Sequence, residues 1–158
     1  MNGPEVRIYR GIPGAGKSTL IERELAGTIV AAGNVIVSAD FFWIRSSTGE
    51  YLFDPKRLGE AHAWCFREYL EALRRAVDRG SGVIYVDNTN TQAWEVAPYA
   101  LTAAALGVPF KVVTVWCDLA VAARRNVHGV PGAVMTAKYR ALLTETLPPH
   151  WPHEVIYP

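Results

Sequence analysis

The chain has 158 residues, half of them apolar and a fifth charged, which suits one globular domain over 1–158 with a sizeable core and leaves no room for a second. A formal charge of +1 excludes a global electrostatic pull on nucleic acid or an anionic membrane, so either would have to be gripped by a local cluster. The two cysteines, Cys65 and Cys117, exclude a disulfide framework or a four-ligand zinc site and read as buried thiols in a reducing compartment. Without a membrane-length apolar window or a basic-then-apolar leader after Met1, the expectation is a cytoplasmic protein with no membrane contact and no obligate protein partner.

Taken in chain order, Val6 to Tyr9 is a short strand-like run, followed at once by a glycine-rich loop and then by an apolar-periodic stretch from Lys17 to about Ala32. Gly33-Asn34 stops that helix, Val35 to Val37 reads as a second buried strand, and Ser38-Ala39-Asp40 stands at its end. From Phe41 to Pro55 aromatic and polar residues mix irregularly, as in an exposed functional loop. A long amphipathic helix follows, with Leu58, Ala61, Cys65, Phe66, Tyr69, Leu70, Leu73 and Val77 recurring at helical spacing, ended by Gly80-Ser81-Gly82.

Val83 to Val86 is a third strand carrying Asp87-Asn88-Thr89-Asn90 at its end. Gln92 to Leu106 is helical and stopped by Gly107, and Phe110 to Trp116 is a fourth strand. Asp118 stands where it would cap a helix running to about Asn126; Val127 to Gly132 is rich in glycine and proline; Ala133 to Leu147 is helical again, and His153 to Tyr157 is a fifth strand. Strands that alternate with helices and read as continuous apolar runs predict an α/β fold with a central parallel sheet of about five strands, flanked by helices and carrying a helical lid.

Gly11-Ile12-Pro13-Gly14-Ala15-Gly16-Lys17-Ser18 is a complete G-x-x-x-x-G-K-[ST] phosphate-binding loop between a predicted strand and helix. Its glycines let backbone N–H groups converge on phosphate oxygens, and the following helix adds its positive end. The reading assigns Gly11 to Thr19 to ATP, Lys17 to the β and γ phosphates, and the Ser18 hydroxyl to Mg²⁺. The glycines do not have the G-x-G-x-x-G dinucleotide spacing.

A kinase also places a carboxylate to accept the hydroxyl proton, and two aspartates end predicted strands. In an open parallel sheet both lie near the loop. Asp40 is assigned as the general base and Asp87 to Mg²⁺ through water, although spacing alone does not order the two roles, and a helix cap or an Asx-turn would also use these residues. Arg124-Arg125-Asn126 closes a helix before the glycine and proline segment, where a lid would carry an arginine onto the transferring phosphate or simply cap the helix.

With the loop, Ser38-Ala39-Asp40, Asp87-Asn88-Thr89-Asn90 and Arg125-Asn126 in this order, the chain resembles the polynucleotide kinase family of P-loop kinases. The branch it is most similar to also has phrases like Phe53-Asp54-Pro55, Ala61-His62 and Arg125-Asn126-Val127-His128-Gly129-Val130-Pro131. The resemblance covers nearly the whole chain and implies a P-loop fold, ATP, Mg²⁺ and γ-phosphate transfer to a hydroxyl on nucleic acid, DNA ahead of RNA. Carried over by position, Asp40 is the base, Asp87 the metal-side aspartate and Arg125 the first lid arginine.

The pattern departs from the family at Trp43, where the phage 5′-kinase has an arginine that holds the acceptor's phosphate, and in the shorter lid, which lacks a second arginine. Phe42, Trp43 and Arg45, with Asn88 and Asn90, are the expected acceptor-facing set, the rings offering a stacking surface and Arg45 or Arg57 a phosphate contact. The acceptor is then a 5′-hydroxyl end or a hydroxymethyl group on a modified base such as 5-hydroxymethyluracil. A kinase of a small alcohol and a non-catalytic nucleotide-binding module are the rival readings, and a GTPase is disfavoured by the lack of an Asn-Lys-x-Asp motif.

Overall fold

Five strands, β1 (Glu5–Arg10), β2 (Val35–Val37), β3 (Val83–Asp87), β4 (Phe110–Val115) and β5 (His153–Ile156), alternate with helices in the computed structural model, which describes residues 3–27 and 33–158. They form one sheet in the order β2-β3-β1-β4-β5, every neighbouring pair parallel. The helices are α1 (Lys17–Gly27), α2 (Leu58–Arg79), α3 (Ala93–Ala105), α4 (Leu119–Arg124) and α5 (Gly132–Thr144). Parallel pairing needs a crossover between strands, and these helices supply it on both faces of the sheet.

Because side chains alternate across a strand, β1 feeds two cores. Val6 and Ile8, with Val86 and Val112, pack against Cys65, Tyr69 and Leu73 of α2 and Val96, Tyr99 and Ala103 of α3. Tyr9 and Tyr85, with Val113 and Val115, face Ile21 of α1, Ala122 of α4 and Met135 and Leu142 of α5. The register sets Tyr9 opposite Asp87 and Arg10 opposite Thr114, so all the strand ends that carry polar residues open at one edge.

The elements agree with the sequence to within a residue or two at most ends, with instructive exceptions. The expected end of α1 near Ala32 lies outside the described residues. The buried line of α2 is narrower than its apolar pattern: Ala61, Cys65, Tyr69, Ala72, Leu73 and Ala76 are buried, while Leu58, Leu70 and Val77 stay exposed. Small alanines bring the helix close to the sheet, and the larger residues flanking that line are left outside. Gly80 ends α2 in the left-handed conformation (φ 71°), its N–H reaching the carbonyls of Ala76 and Val77.

Asp118 makes no side-chain cap to α4, contrary to the expectation; its backbone carbonyl accepts from Ala122 instead, at 2.9 Å. Cys65 is buried as expected, but Cys117, just past the end of β4, is only partly covered. The irregular segment after β2 has its own order. A 3-10 turn over Ala39–Trp43 leads into a small loop closed by an antiparallel bridge between Ile44 and Tyr51. No described helix is long and apolar enough to cross a membrane.

Candidate active site

The phosphate-binding loop leaves β1 as a wrap that tolerates no side chain at two of its glycines. A Cβ on Gly11 (φ 156°) would stand 2.7 Å from the Val115 carbonyl oxygen, and one on Gly14 (φ 80°) would stand 2.4 Å from that of Ala122. Ile12 and Ala15 are fully buried beneath the loop and anchor it to the α1-side core. Gly16 (φ 98°) has open space beside it, as a cradle for phosphate oxygens requires. Pro13 and Thr19 complete the loop and the first turn of α1.

Lys17 is buried, its ammonium donating to the carbonyls of Gly11 at 2.9 Å and Ile12 at 3.1 Å. Burial pushes its pKa down, opposed by the charges of Asp87 and Asp40. These carbonyl contacts hold the cation directly over the cradle, at the start of the helix.

Asp87 ends β3 one strand away, and the Ser18 hydroxyl donates to its Oδ2 at 2.6 Å. Burial pushes the Asp87 carboxyl up, with Lys17 and the Ser18 hydroxyl pulling it back down. A hydroxyl and a carboxylate are hard oxygen donors suited to Mg²⁺, which keeps waters and takes further oxygens from substrate phosphates. Among the described residues no cluster of three or more acidic, histidine or cysteine side chains forms a protein-only metal cage. The donor set fits a cation bound together with a nucleotide.

Asp40 lies in the 3-10 turn after β2, with its backbone N–H donating to Ser38 Oγ at 3.2 Å. Its side chain is 55% exposed, and His128 Nε2 lies 3.9 Å from Oδ2. Tyr51 OH donates to Oδ1 at 3.2 Å, and the His128 and Tyr51 rings stack at 4.5 Å with 22° between their planes. Burial and then Asp40 push the Tyr51 phenol up, so it remains a donor. The geometry thereby distinguishes the two aspartates that spacing left unordered: Asp87 is engaged with the loop serine, and Asp40 faces outward.

Three of the expected acceptor contacts are corrected. Trp43 is 5% exposed and packs edge-on against Phe42 at 4.9 Å and Phe53 at 5.1 Å, because the 3-10 turn rotates it into the core. The Asn88 side chain is also buried, its carbonyl accepting from Ala39 N–H at 2.8 Å and its amide facing Cys65 Sγ and Tyr99 OH. Asn90 (φ 45°) turns back to donate to the Tyr9 carbonyl at 2.8 Å. Asn88 and Asn90 therefore brace the strand ends, Asn88 tying β3 to the residue before Asp40. Phe42 is half-buried under the Arg57 guanidinium, 5.0 Å above its ring, and Arg45 is exposed on the turn before Tyr51.

Arg125 caps the C-terminal end of α4, where its N–H bonds the Ala122 carbonyl at 3.0 Å. Gly14 packs on that same Ala122, so the arginine stands beside the phosphate cradle. The following loop is closed by Asn126, which accepts from Val130 N–H at 2.9 Å and donates to the Val130 carbonyl at 2.6 Å. It projects His128 toward Asp40 as one compact unit.

The sequence reading missed a second set of residues. Buried Arg10 donates to the carbonyls of Thr91 at 2.7 Å and Asn90 at 3.2 Å and to Thr114 Oγ1 at 3.2 Å, while Gly11 N–H bonds the Thr89 carbonyl at 2.8 Å. The loop's origin is thus stapled to the segment after β3. Lys138 of α5 reaches Thr89 Oγ1 at 3.1 Å, and Glu145, two turns further on, accepts from Ala93 N–H at 3.0 Å at the start of α3. Burial pushes the pKa of His62 of α2 down, with the charges of Glu95 and Asp40 opposing that and the charge of Lys138 adding to it. Arg10 directly precedes the motif, a signal that was readable; Lys138 had none, since its partner lies 49 residues away.

A family model described as an AAA domain matches residues 6–130. Human NEDD4-binding protein 2 is 37% identical over 131 residues, a match that spans 78% of this chain and 7% of that protein. Among solved structures, a Mycobacterium tuberculosis APS kinase in complex with AMPPNP and APS is similar with a TM-score of 0.61 and 19% identity, over 100% of this chain and 90% of that one. A Janibacter sugar kinase is similar with a TM-score of 0.62 and 17% identity, over 98% of this chain and 85% of that one. A Sinorhizobium meliloti gluconokinase gives 0.56 and 17%, over 99% and 84%. At these identities the structural likeness is one of fold, that of the P-loop kinases. With its complete phosphate-binding loop, its all-parallel sheet and a family match over most of its length, the chain belongs to the AAA domain family.

Proposed function

We propose that the protein is a kinase that transfers the γ-phosphate of ATP, with Mg²⁺, to a hydroxyl on a nucleic acid, DNA ahead of RNA. The observation that carries the reading is the division between the two aspartates: Asp87 is held by Ser18 at 2.6 Å, while Asp40 stands 55% exposed on an open face. Phosphoryl transfer needs positioning, charge neutralisation and a proton acceptor, and each has its own residues here.

Backbone N–H groups from Gly11 to Thr19 cradle the phosphates, and Lys17 exchanges its two loop carbonyls for phosphate oxygens. Ser18 and, through water, Asp87 would hold Mg²⁺, which would supply charge neutralisation at the phosphates. Arg125 approaches from the end of α4 and Lys138 from α5, and Asp40 accepts the proton of the attacking hydroxyl. The short lid lacks a second arginine, and Lys138 supplies a cation from the helix that follows it.

The surroundings of Asp40 support a nucleic-acid acceptor. Phe41, next to Asp40 in the chain, and Phe53, packed on Trp43, are exposed. Arg45 is exposed on the same loop while Arg57 is paired with Glu60 at 2.9 Å, so flat rings and a cation suited to unstacked bases and backbone phosphates are present. The resemblance in Ser38-Ala39-Asp40, Asp87 to Asn90 and Arg125 to Pro131 supports the same class. A 5′-hydroxyl end and a hydroxymethyl group on a base such as 5-hydroxymethyluracil both meet these requirements. A small-alcohol kinase is the second reading, favoured by the fold shared with a sugar kinase and a gluconokinase.

The test is transfer of labelled γ-phosphate to three acceptors in parallel: 5′-hydroxyl oligonucleotides, duplex DNA with internal 5-hydroxymethyluracil and phosphorylated ends, and a pool of small alcohols. Label on either DNA is the expected result. Label confined to the small alcohols would overturn the nucleic-acid reading and leave the phosphotransfer chemistry standing.

A further inference from the structure

The ring that faces the catalytic carboxylate is Tyr51. Its hydroxyl donates to Asp40 Oδ1 at 3.2 Å, which fixes the ring edge beside the proton acceptor. The ring is held from behind by the Ile44 to Tyr51 bridge and by its packing against the core. One face of it carries the His128 imidazole, stacked at 4.5 Å and 22°, with Nε2 3.9 Å from the other Asp40 oxygen. A flat, nitrogen-bearing heteroaromatic ring therefore already sits on Tyr51, with an edge directed at the base.

That ring comes from a short segment closed on itself. Asn126 closes residues 126–130 on themselves with two bonds to Val130, Gly129 takes a left-handed φ of 63°, and Val127 is 88% exposed. Among the described residues, the tip touches the acceptor loop through His128, which stacks on Tyr51 and approaches Asp40. Displacing it costs one stack and a loose polar contact, and uncovers a tyrosine face alongside Asp40.

We propose that this face of Tyr51 is the seat of the acceptor's base, and that His128 occupies the seat until the acceptor displaces it. The inference rests on the nucleic-acid reading above and deepens it. It moves the stacking platform from Trp43, which is buried, to Tyr51. It also gives the lid a second duty, since the loop that follows Arg125 must leave the acceptor position before transfer. A base stacked in place of the imidazole presents its substituents to Asp40 Oδ2 from a ring edge about 4 Å away, the spacing the imidazole shows.

The probe is a short single-stranded DNA with a 5′-hydroxyl and 2-aminopurine beside it, read by fluorescence quenching and by steady-state transfer. The wild type is expected to quench the probe. Tyr51→Ala should lose the quenching and raise the acceptor KM by roughly tenfold or more, the range of one base-aromatic stack, with the ATP KM unchanged. Tyr51→Phe should restore quenching and acceptor KM while lowering kcat, because it keeps the ring and loses the bond to Asp40.

His128→Ala, on the exposed loop and away from the core, should lower the acceptor KM severalfold by removing the competitor. An acceptor KM indifferent to Tyr51→Ala, or one that rises in His128→Ala, would overturn the inference while leaving the kinase reading intact. A wild type that neither quenches nor phosphorylates any DNA, yet labels small alcohols, would overturn the nucleic-acid reading and the inference with it.

Discussion

The Ser18 hydroxyl donates to Asp87 Oδ2 at 2.6 Å, joining the first turn of α1 to the end of β3 at the position a phosphate-bound cation would take. Because burial raises the Asp87 pKa, the carboxyl must lose its proton for Mg²⁺ to bind, and Mg²⁺ affinity should fall as pH drops through that raised value. Asp87→Asn and Ser18→Ala should each lower kcat by about a hundredfold or more and raise the Mg²⁺ concentration needed for half-maximal transfer. A Mg²⁺ titration of transfer at several pH values checks both.

Asp40→Asn should reduce transfer by about a hundredfold to ten-thousandfold, the range of general-base catalysis, with ATP affinity unchanged. Near-normal turnover would remove Asp40 from the mechanism.

Lys17 and Asp87 should show function at odds with stability. Folding lowers the Lys17 pKa, so the unfolded chain binds the proton more tightly and stability rises with pH through the window below the ordinary lysine value. Folding raises the Asp87 pKa, so the folded chain binds the proton more tightly and stability falls as pH rises above the ordinary carboxylate range. Lys17→Met should abolish transfer while leaving the nucleotide-free protein as stable or more stable, by about 1 kcal/mol. Thermal melts with and without ATP and Mg²⁺ test this: the wild type should gain stability from the ligands and the variant should not.

Arg10→Met should destabilise the protein by about 3 kcal/mol, as expected when a buried hydrogen-bonded cation is removed from its partners. The carbonyls of Asn90 and Thr91 lose their donor and the loop after β3 loosens, so ATP affinity should fall together with the melting temperature.

Trp43→Ala should cost about 3–5 kcal/mol by opening a core cavity, with loss of acceptor binding no greater than loss of folded protein. Arg45→Ala, at an exposed position, should leave stability within about 0.5 kcal/mol and weaken DNA binding with a smaller salt dependence. Chemical denaturation and salt titration of binding separate the two.

The parts of the fold that repeat were readable in the chain. Continuous apolar runs alternating with helical periods predicted the parallel sheet, and the strand ends at Val37 and Asp87 follow from where those runs stop. The edges of the buried surface were less readable: Leu70 and Val77 carry the right period yet stay exposed, since periodicity marks a face and not its width. Trp43, Asn88 and Asn90 were misread because an aromatic or an amide beside an aspartate suits recognition as well as scaffolding.

The sequence by itself determined the phosphate-binding loop, because such a cradle is a local object: eight consecutive residues supply its backbone N–H groups, its ammonium and its hydroxyl. The contacts around Asp40 and the loop's origin depend on tertiary structure. Tyr51 meets Asp40 across 11 residues, Lys138 meets Thr89 across 49 and Arg10 meets Thr91 across 81, and no local pattern encodes contacts that arise when parallel strands bring distant ends to one edge of a sheet.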